Sequence, residues 1–196
     1  QPVATVNWNM TGLHNVRNAL SAIAAARHVG VTPDHAVSAL NRFGGVKRRM
    51  ELLADIDGVR VYDDFAHHPT AIATTLEGLR NRVGDELIIA LVEPRSNTMQ
   101  QGVHRERLLG SADLADRVIW ANTGKAEWLT TLMEEYRSGG GDPERHQVDE
   151  TIDGLIRRVL GEVSQPCHVV IMSNGGFGGI HQRLVSRLEE KAGHGR

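Results

Sequence analysis

Residues 57–79, DGVRVYDDFAHHPTAIATTLEGL, change their hydrophobic period half-way along, and that change decides the fold. Val59 and Val61 alternate with Arg60 and Tyr62, which is the period of a strand. The dipeptide Asp57-Gly58 ahead of them marks a hairpin turn back to residues 51–56. Beyond Pro69, Ile72, Leu76 and Leu79 form the stripe of an amphipathic helix. The alternation carries Asp63 onto the face of Val59 and Val61 at the strand end and turns Asp64 to the other face. His68 precedes a proline and is therefore held extended. A strand thus passes through two carboxylates and two imidazoles into a helix N-terminus.

The same change of period repeats towards the C-terminus. Apolar strands are predicted at ELIIALV (86–92), DRVIWA (116–121) and CHVVIMS (167–173), with a shorter one near Gln147. Helical stripes separate them at about 104–115, 126–136 and 150–160, and a last helix carries Ile180, Leu184 and Leu188. Continuously apolar strands alternating with amphipathic helices predict an α/β, Rossmann-like fold: a mainly parallel sheet with helices on both faces.

Towards the N-terminus the pattern is helical. Leu13, Val16, Leu20 and Ile23 recur among alanines, and Gly30 ends that stripe. A second helix starts with Thr32 as N-cap, Pro33 in its first turn and Asp34 near the positive end of its dipole, and is expected to end near Phe43. A boundary is therefore expected at residues 44–46, dividing two leading helices (1–44) from the wound sheet (45–196). The opening VATVNW reads as strand-like, so the chain is expected to be a piece of a longer protein. The closing KAGHGR is expected to fray.

Composition narrows the functional classes. With 22 Lys and Arg against 24 Asp and Glu in 196 residues, the formal net charge of -2 offers no field for a nucleic acid or an anionic membrane. The one cysteine, Cys167, heads an apolar strand and reads as a small buried hydrophobe in a reducing compartment. Residues 87–92 are the longest aliphatic run, too short to span a bilayer, and the expected location is the cytoplasm.

In a wound sheet, ligands gather beyond the carboxyl ends of the strands. Asp63 at such an end could accept both hydroxyls of a ribose, beside a helix N-terminus that attracts anions. Alternatives are that Asp64 and His68 cap the helix, or that aspartate and histidine ligate a metal. Asn15 and Asn18 share one helix face and could read an adenine edge, or be caps or solvated amides. Lys47, Arg48 and Arg49 precede a strand and suit either a phosphate or a guarded sheet edge. The loops EPRSNTM (93–99) and SNGGFGG (173–179) follow strands and occupy the ligand edge. The second lacks the glycine spacing of a dinucleotide fingerprint. TGKAEW (123–128) lacks the first glycine of a phosphate loop and the hydroxyl after Lys125.

Taken in order, GLHNVRNALSAIAAA (12–26), FGGVKRRME (43–51), YDDFAHHPTAI (62–72), EPRSNTM and MSNGGFGGIHQ (172–182) resemble the Mur ligase superfamily of ATP-dependent amide-forming ligases. The resemblance implies that residues 1–44 are the tail of a central ATP-binding domain whose phosphate loop lies elsewhere, and that 45–196 are the C-terminal domain. It implies adenine contacts at Asn18 with Asn15 beside it, a ribose contact at Asp63, His67 near the nucleotide, and Arg49 facing the phosphates as the one catalytic candidate. ATP and Mg²⁺ would be the cofactors. The partners would be UDP-N-acetylmuramate and an amino substrate, either the tripeptide L-Ala-γ-D-Glu-meso-diaminopimelate or L-alanine, joined through an acyl phosphate. A module that binds nucleotide and peptide without turnover is the other class consistent with the residues. Loop position proposes peptide contacts at Arg95, Ser96, Asn97, Asn122, Lys125, Ser173 and Asn174. The chain alone is expected to be inactive, and the uncovered stripe of its leading helices is expected to favour a dimer.

Overall fold

The computed structural model describes residues 4–8, 10–94 and 105–193. Two helices, α1 (Leu13–His28) and α2 (Pro33–Asn41), pack on each other ahead of a six-stranded sheet. The sheet is built from β1 (Glu51–Ile56), β2 (Val59–Asp64), β3 (Leu87–Val92), β4 (Arg117–Ala121), β5 (His146–Asp149) and β6 (Cys167–Met172), in the order β1-β2-β6-β3-β4-β5. All neighbours are parallel except the hairpin β1–β2. The remaining α-helices among the described residues are α3 (Pro69–Val83), the short α4 (Arg105–Leu108), α5 (Glu127–Ser138), α6 (Ile152–Glu162) and α7 (Ile180–Gly193), with 3₁₀ turns at Gly110–Ala112 and Phe177–Gly179.

The hairpin turns where the sequence places it, with Asp57 and Gly58 both at positive φ (48° and 84°), as the favoured two-residue turn requires. Strand pairing then separates two cores. Tyr62, Ile88, Ala90, Val92 and Trp120 meet Ile72, Leu76 and Leu79 of α3 and Leu129 of α5 on one face. Val59, Val61, Ile89, Leu91 and Ile119 meet Leu155 and Val159 of α6 and Ile180 and Leu184 of α7 on the other. Each Val, Leu or Ile among them contributes on the order of 1.5–3 kcal/mol when fully buried. β6 is buried along its whole length because it lies between β2 and β3 with helices above and below.

Three local expectations change. Residues 4–8 form no strand; the Asn7 N–H donates to Asn41 Oδ1 at 2.6 Å, and the Asn41 amide donates to the Thr5 carbonyl at 3.4 Å, so this segment is tied to the end of α2. Thr32 occupies the N-cap of α2 but its hydroxyl pairs with His35 Nδ1 at 2.9 Å instead of a backbone N–H. The helix at the C-terminus continues to Gly193, past the start of the segment expected to fray.

His146 is buried between two rings: it stacks on Trp120, whose Nε1–H donates to His146 Nδ1 at 3.1 Å, and meets Tyr136 edge-on. Burial lowers its pKa to about 4, assisted by the nearby Arg145 charge. Unfolded imidazole protonates near pH 6.5, so between pH 6.5 and 4 the unfolded chain binds the extra proton and stability falls as pH falls. This residue alone is expected to remove roughly 2–3 kcal/mol across that window. Denaturant titrations of wild type and His146→Gln at pH 7 and pH 4.5 check it: the pH-dependent loss should be smaller in the variant by that amount.

Candidate nucleotide and peptide site

Helices leave β2 and β3 on one face of the sheet and β6 on the other, so the carboxyl ends of these three strands open a crevice at a switch point. Asp63 is the next-to-last residue of β2 there, 8% exposed. Its two oxygens are engaged from different elements: Oδ2 accepts from Arg48 Nε at 3.3 Å, and Oδ1 pairs with His181 Nε2 at 3.1 Å. Each carboxylate oxygen still has a second lone pair to offer. Asp64 faces the other way, as the alternation requires, and its carboxylate is consumed internally. It accepts from the Met50 N–H, the Ala66 N–H and the Thr75 hydroxyl. Burial raises its pKa, against those three hydrogen bonds.

Arg48 is the residue that the spacing of KRRME did not single out. Its backbone is left-handed (φ 58°), its guanidinium also donates to the Ser173 and Gly175 carbonyls at 2.6 and 2.9 Å, and it lies 5.3 Å from the Phe65 ring centre. It thereby clamps β2 to the loop after β6. Arg49 is exposed, with its guanidinium 5.5 Å from the same ring. His67 packs edge-on to Phe65, and its Nδ1 pairs with the Phe65 carbonyl at 2.9 Å. Asp63, Arg48, Arg49, Phe65, His67 and His181 therefore form one cluster. His68 is the N-cap of α3, its Nδ1 accepting from the Thr70 N–H at 3.4 Å, while Asp64 caps a turn before the helix and not the helix itself.

Asn15 and Asn18 are carried by α1. The Asn15 amide donates to the Thr11 carbonyl at 2.7 Å, and Asn18 is exposed. The start of α1 sits against α3 where Gly78 leaves room: a Cβ at that glycine would come within 3.2 Å of the Thr11 hydroxyl and the Gly12 nitrogen.

The proposed peptide residues divide. Arg95, Ser96 and Asn97 lie outside the described residues. Asn122 is buried, with Oδ1 accepting from the Ala126 N–H at 2.7 Å and Nδ2 donating to the Thr130 hydroxyl at 3.3 Å, so its amide closes the loop into α5. Ser173 is fully buried and donates to Glu93 Oε2 at 2.5 Å while accepting from the Gly175 N–H. Lys125, at positive φ, is exposed with its ammonium 4.0 Å from Glu150, and Asn174 is half-buried beside the Arg48 clamp. Next to these loops a cavity of 620 Å³ is lined by Glu93, Asn122, Thr123, Trp128, Leu129 and Ile152 among others. Among the described residues no group of three His, Cys, Asp or Glu side chains could hold a metal ion, and no helix is long and apolar enough to cross a membrane.

The family described as "Mur ligase, glutamate ligase domain" matches residues 48–175, from the Arg48 clamp to the loop after β6. The chain belongs to the Mur ligase family. This Mur ligase chain is 45% identical over 193 residues to the UDP-N-acetylmuramate–L-alanyl-γ-D-glutamyl-meso-2,6-diaminoheptandioate ligase of Escherichia coli K12, a match covering 98% of the chain and 41% of that protein. It is also similar to the crystal structure of a murein peptide ligase from Psychrobacter arcticus, with 47% identity, a TM-score of 0.70, and coverage of 94% of this chain and 39% of that one. A UDP-N-acetylmuramate–L-alanine ligase from Ruegeria sp. is 44% identical over 151 residues, 76% of this chain and 29% of that protein. The chain thus spans about 41% of the length of the E. coli relative.

Proposed function

We propose that this chain is the C-terminal part of an ATP-dependent ligase that joins UDP-N-acetylmuramate to the tripeptide L-Ala-γ-D-Glu-meso-diaminopimelate in the cytoplasm. The observation that carries this reading is the 45% identity with the E. coli tripeptide ligase over 98% of the chain. In it, residues 1–44 are the tail of a central ATP-binding domain and 45–196 the amino-substrate domain. The left-handed residues Arg48 and Met50 form the joint between them. The exposed stripe of Leu13, Val16 and Leu20 would then pack on the rest of the central domain, and in the isolated chain favours self-association.

The residues suit the parts assigned to them. Asp63 accepts the ribose hydroxyls, its orientation set by Arg48 and His181. Arg49, exposed beside Phe65, meets phosphate oxygens with its planar fork, and Asn18, with Asn15 beside it, reads the adenine edge from α1. His67 closes the nucleoside side of the cluster. ATP supplies the phosphoryl group that activates the muramate carboxylate as an acyl phosphate, which the free amine of the peptide attacks. Cationic groups and positioning serve such chemistry better than a nucleophilic side chain. Mg²⁺ would bind with the phosphates through the central ATP-binding domain; among the described residues no group of three His, Cys, Asp or Glu side chains could hold it.

The L-alanine-adding activity is the second reading, favoured by the match to the Ruegeria ligase over 76% of the chain. Calorimetry separates the two. The tripeptide is expected to bind this chain at least about tenfold more tightly than L-alanine, because its extra carboxylates and amine add charge-assisted bonds. Tighter binding of L-alanine would transfer the assignment to the alanine-adding ligases.

A further inference from the structure

Glu93 stands one residue past the end of β3, 7% exposed, and among the described residues is the one charged side chain lining the 620 Å³ cavity. Its place is rigid: its N–H donates to the Met172 carbonyl at 2.9 Å, prolonging the pairing with β6, and its Oε2 accepts the Ser173 hydroxyl at 2.5 Å. Its Oε1 accepts no hydrogen bond among the described residues. Trp128, Leu129 and Ile152 give the cavity apolar wall beside the polar Asn122 and Thr123. A buried carboxylate with an unused oxygen next to apolar side chains fits a cation carried on a methylene chain.

We infer that Glu93 is the receptor for an alkylammonium group in this cavity, and that the group is the free amine at the diaminopimelate end of the peptide. This rests on the tripeptide reading above. The choice between the peptide's two amines follows from chemistry. A carboxylate stabilises the protonated amine, which has no lone pair with which to attack an acyl phosphate, so the amine held here is the one that does not react. Geometry agrees. Glu93 ends the strand two places from that of Asp63, roughly 10 Å along the sheet edge at the usual strand spacing, which leaves the nucleotide cluster clear of the distal end of the peptide. The methylenes of diaminopimelate lie along the apolar walls. Ser173 is a positioning residue: it touches no substrate and holds Glu93.

The test is calorimetry of this chain and its Glu93→Gln and Glu93→Asp variants with two peptides: the tripeptide, and the same peptide ending in 2-aminopimelate, which lacks the free amine. Wild type is expected to prefer the diaminopimelate peptide by about tenfold to a hundredfold, the range of one charge-assisted hydrogen bond. Glu93→Gln should abolish that preference while binding the 2-aminopimelate peptide within about twofold of wild type. Glu93→Asp, which keeps the charge one methylene shorter, should retain part of the preference and so separates loss of charge from loss of fold. Equal affinity of wild type for both peptides, or a preference untouched in Glu93→Gln, would overturn the assignment while leaving the ligase reading intact. No binding of either peptide to wild type would overturn the tripeptide reading and this assignment with it.

Discussion

Trp120→Ala is expected to lower the unfolding free energy by about 4 kcal/mol, a large fraction of the 5–15 kcal/mol that holds an ordinary domain together. Trp120 is the largest of the fully buried side chains and sits on β4 in the core that α3 and α5 cover. Truncation removes the buried indole and leaves a cavity that Ile88 on β3 and Leu129 and Leu132 on α5, held by their own elements, fill only in part. It also removes the donor to His146 Nδ1, exposing that nitrogen to an apolar surrounding. Trp120→Phe keeps most of the ring and loses the N–H, so about 1–2 kcal/mol is expected from it. Chemical denaturation at pH 7 checks both. A loss under 1 kcal/mol for the alanine variant would mean that this core is not close-packed around the indole.

Asp63→Ala is expected to weaken ATP binding on the order of a hundredfold in a ligase where this chain replaces the matching part of the E. coli relative, with tripeptide affinity unchanged. Two ribose hydroxyls on one carboxylate are charge-assisted hydrogen bonds worth about 1.5–3 kcal/mol each, and ribose orientation sets where the phosphates fall. Asp63 also brackets Arg48 and His181, so the alanine variant alone confuses ligand binding with support of the loop after β6. Asp63→Asn resolves this, since the amide keeps the shape and one acceptor and loses the charge. It should lose most of the ATP affinity with little change in melting temperature. Wild-type ATP affinity in both variants would refute the ribose assignment. Loss of ATP and peptide binding together, with a lowered melting temperature, would show Asp63 to be a structural bracket.

The elements were legible because their signals are local. Period two at Val59 and Val61, the apolar run of 87–92 and the helical stripe of Ile72, Leu76 and Leu79 each lie within about two helical turns or one short strand, and the structure places strand, strand and helix there. The same parity separated Asp63 from Asp64 before any coordinate, since side chains alternate across a strand: one carboxylate reaches α7 through His181, the other reaches α3 through Thr75. Gly58 and Pro69 punctuated the chain for equally local reasons, positive φ and a fixed φ.

The partners of the site side chains are another matter, because they depend on strand order. Nothing within reach of KRRME or SNGGFGG along the chain says that β6 inserts between β2 and β3. That insertion puts the Ser173 carbonyl and the Asp63 carboxylate within reach of the same guanidinium, 125 and 15 residues from Arg48, and puts the Ser173 hydroxyl against Glu93, 80 residues away. It joins Arg48 to Asp63 beside Arg49 and seats the Ser173 hydroxyl against Glu93, whereas the Asn122 amide closes its own loop through partners four and eight residues further on. Side-chain parity and helical stripes are properties of neighbouring residues and can be read from them. Which distant ends share a crevice follows from how strands pair, a competition among whole-chain arrangements that only the folded sheet resolves.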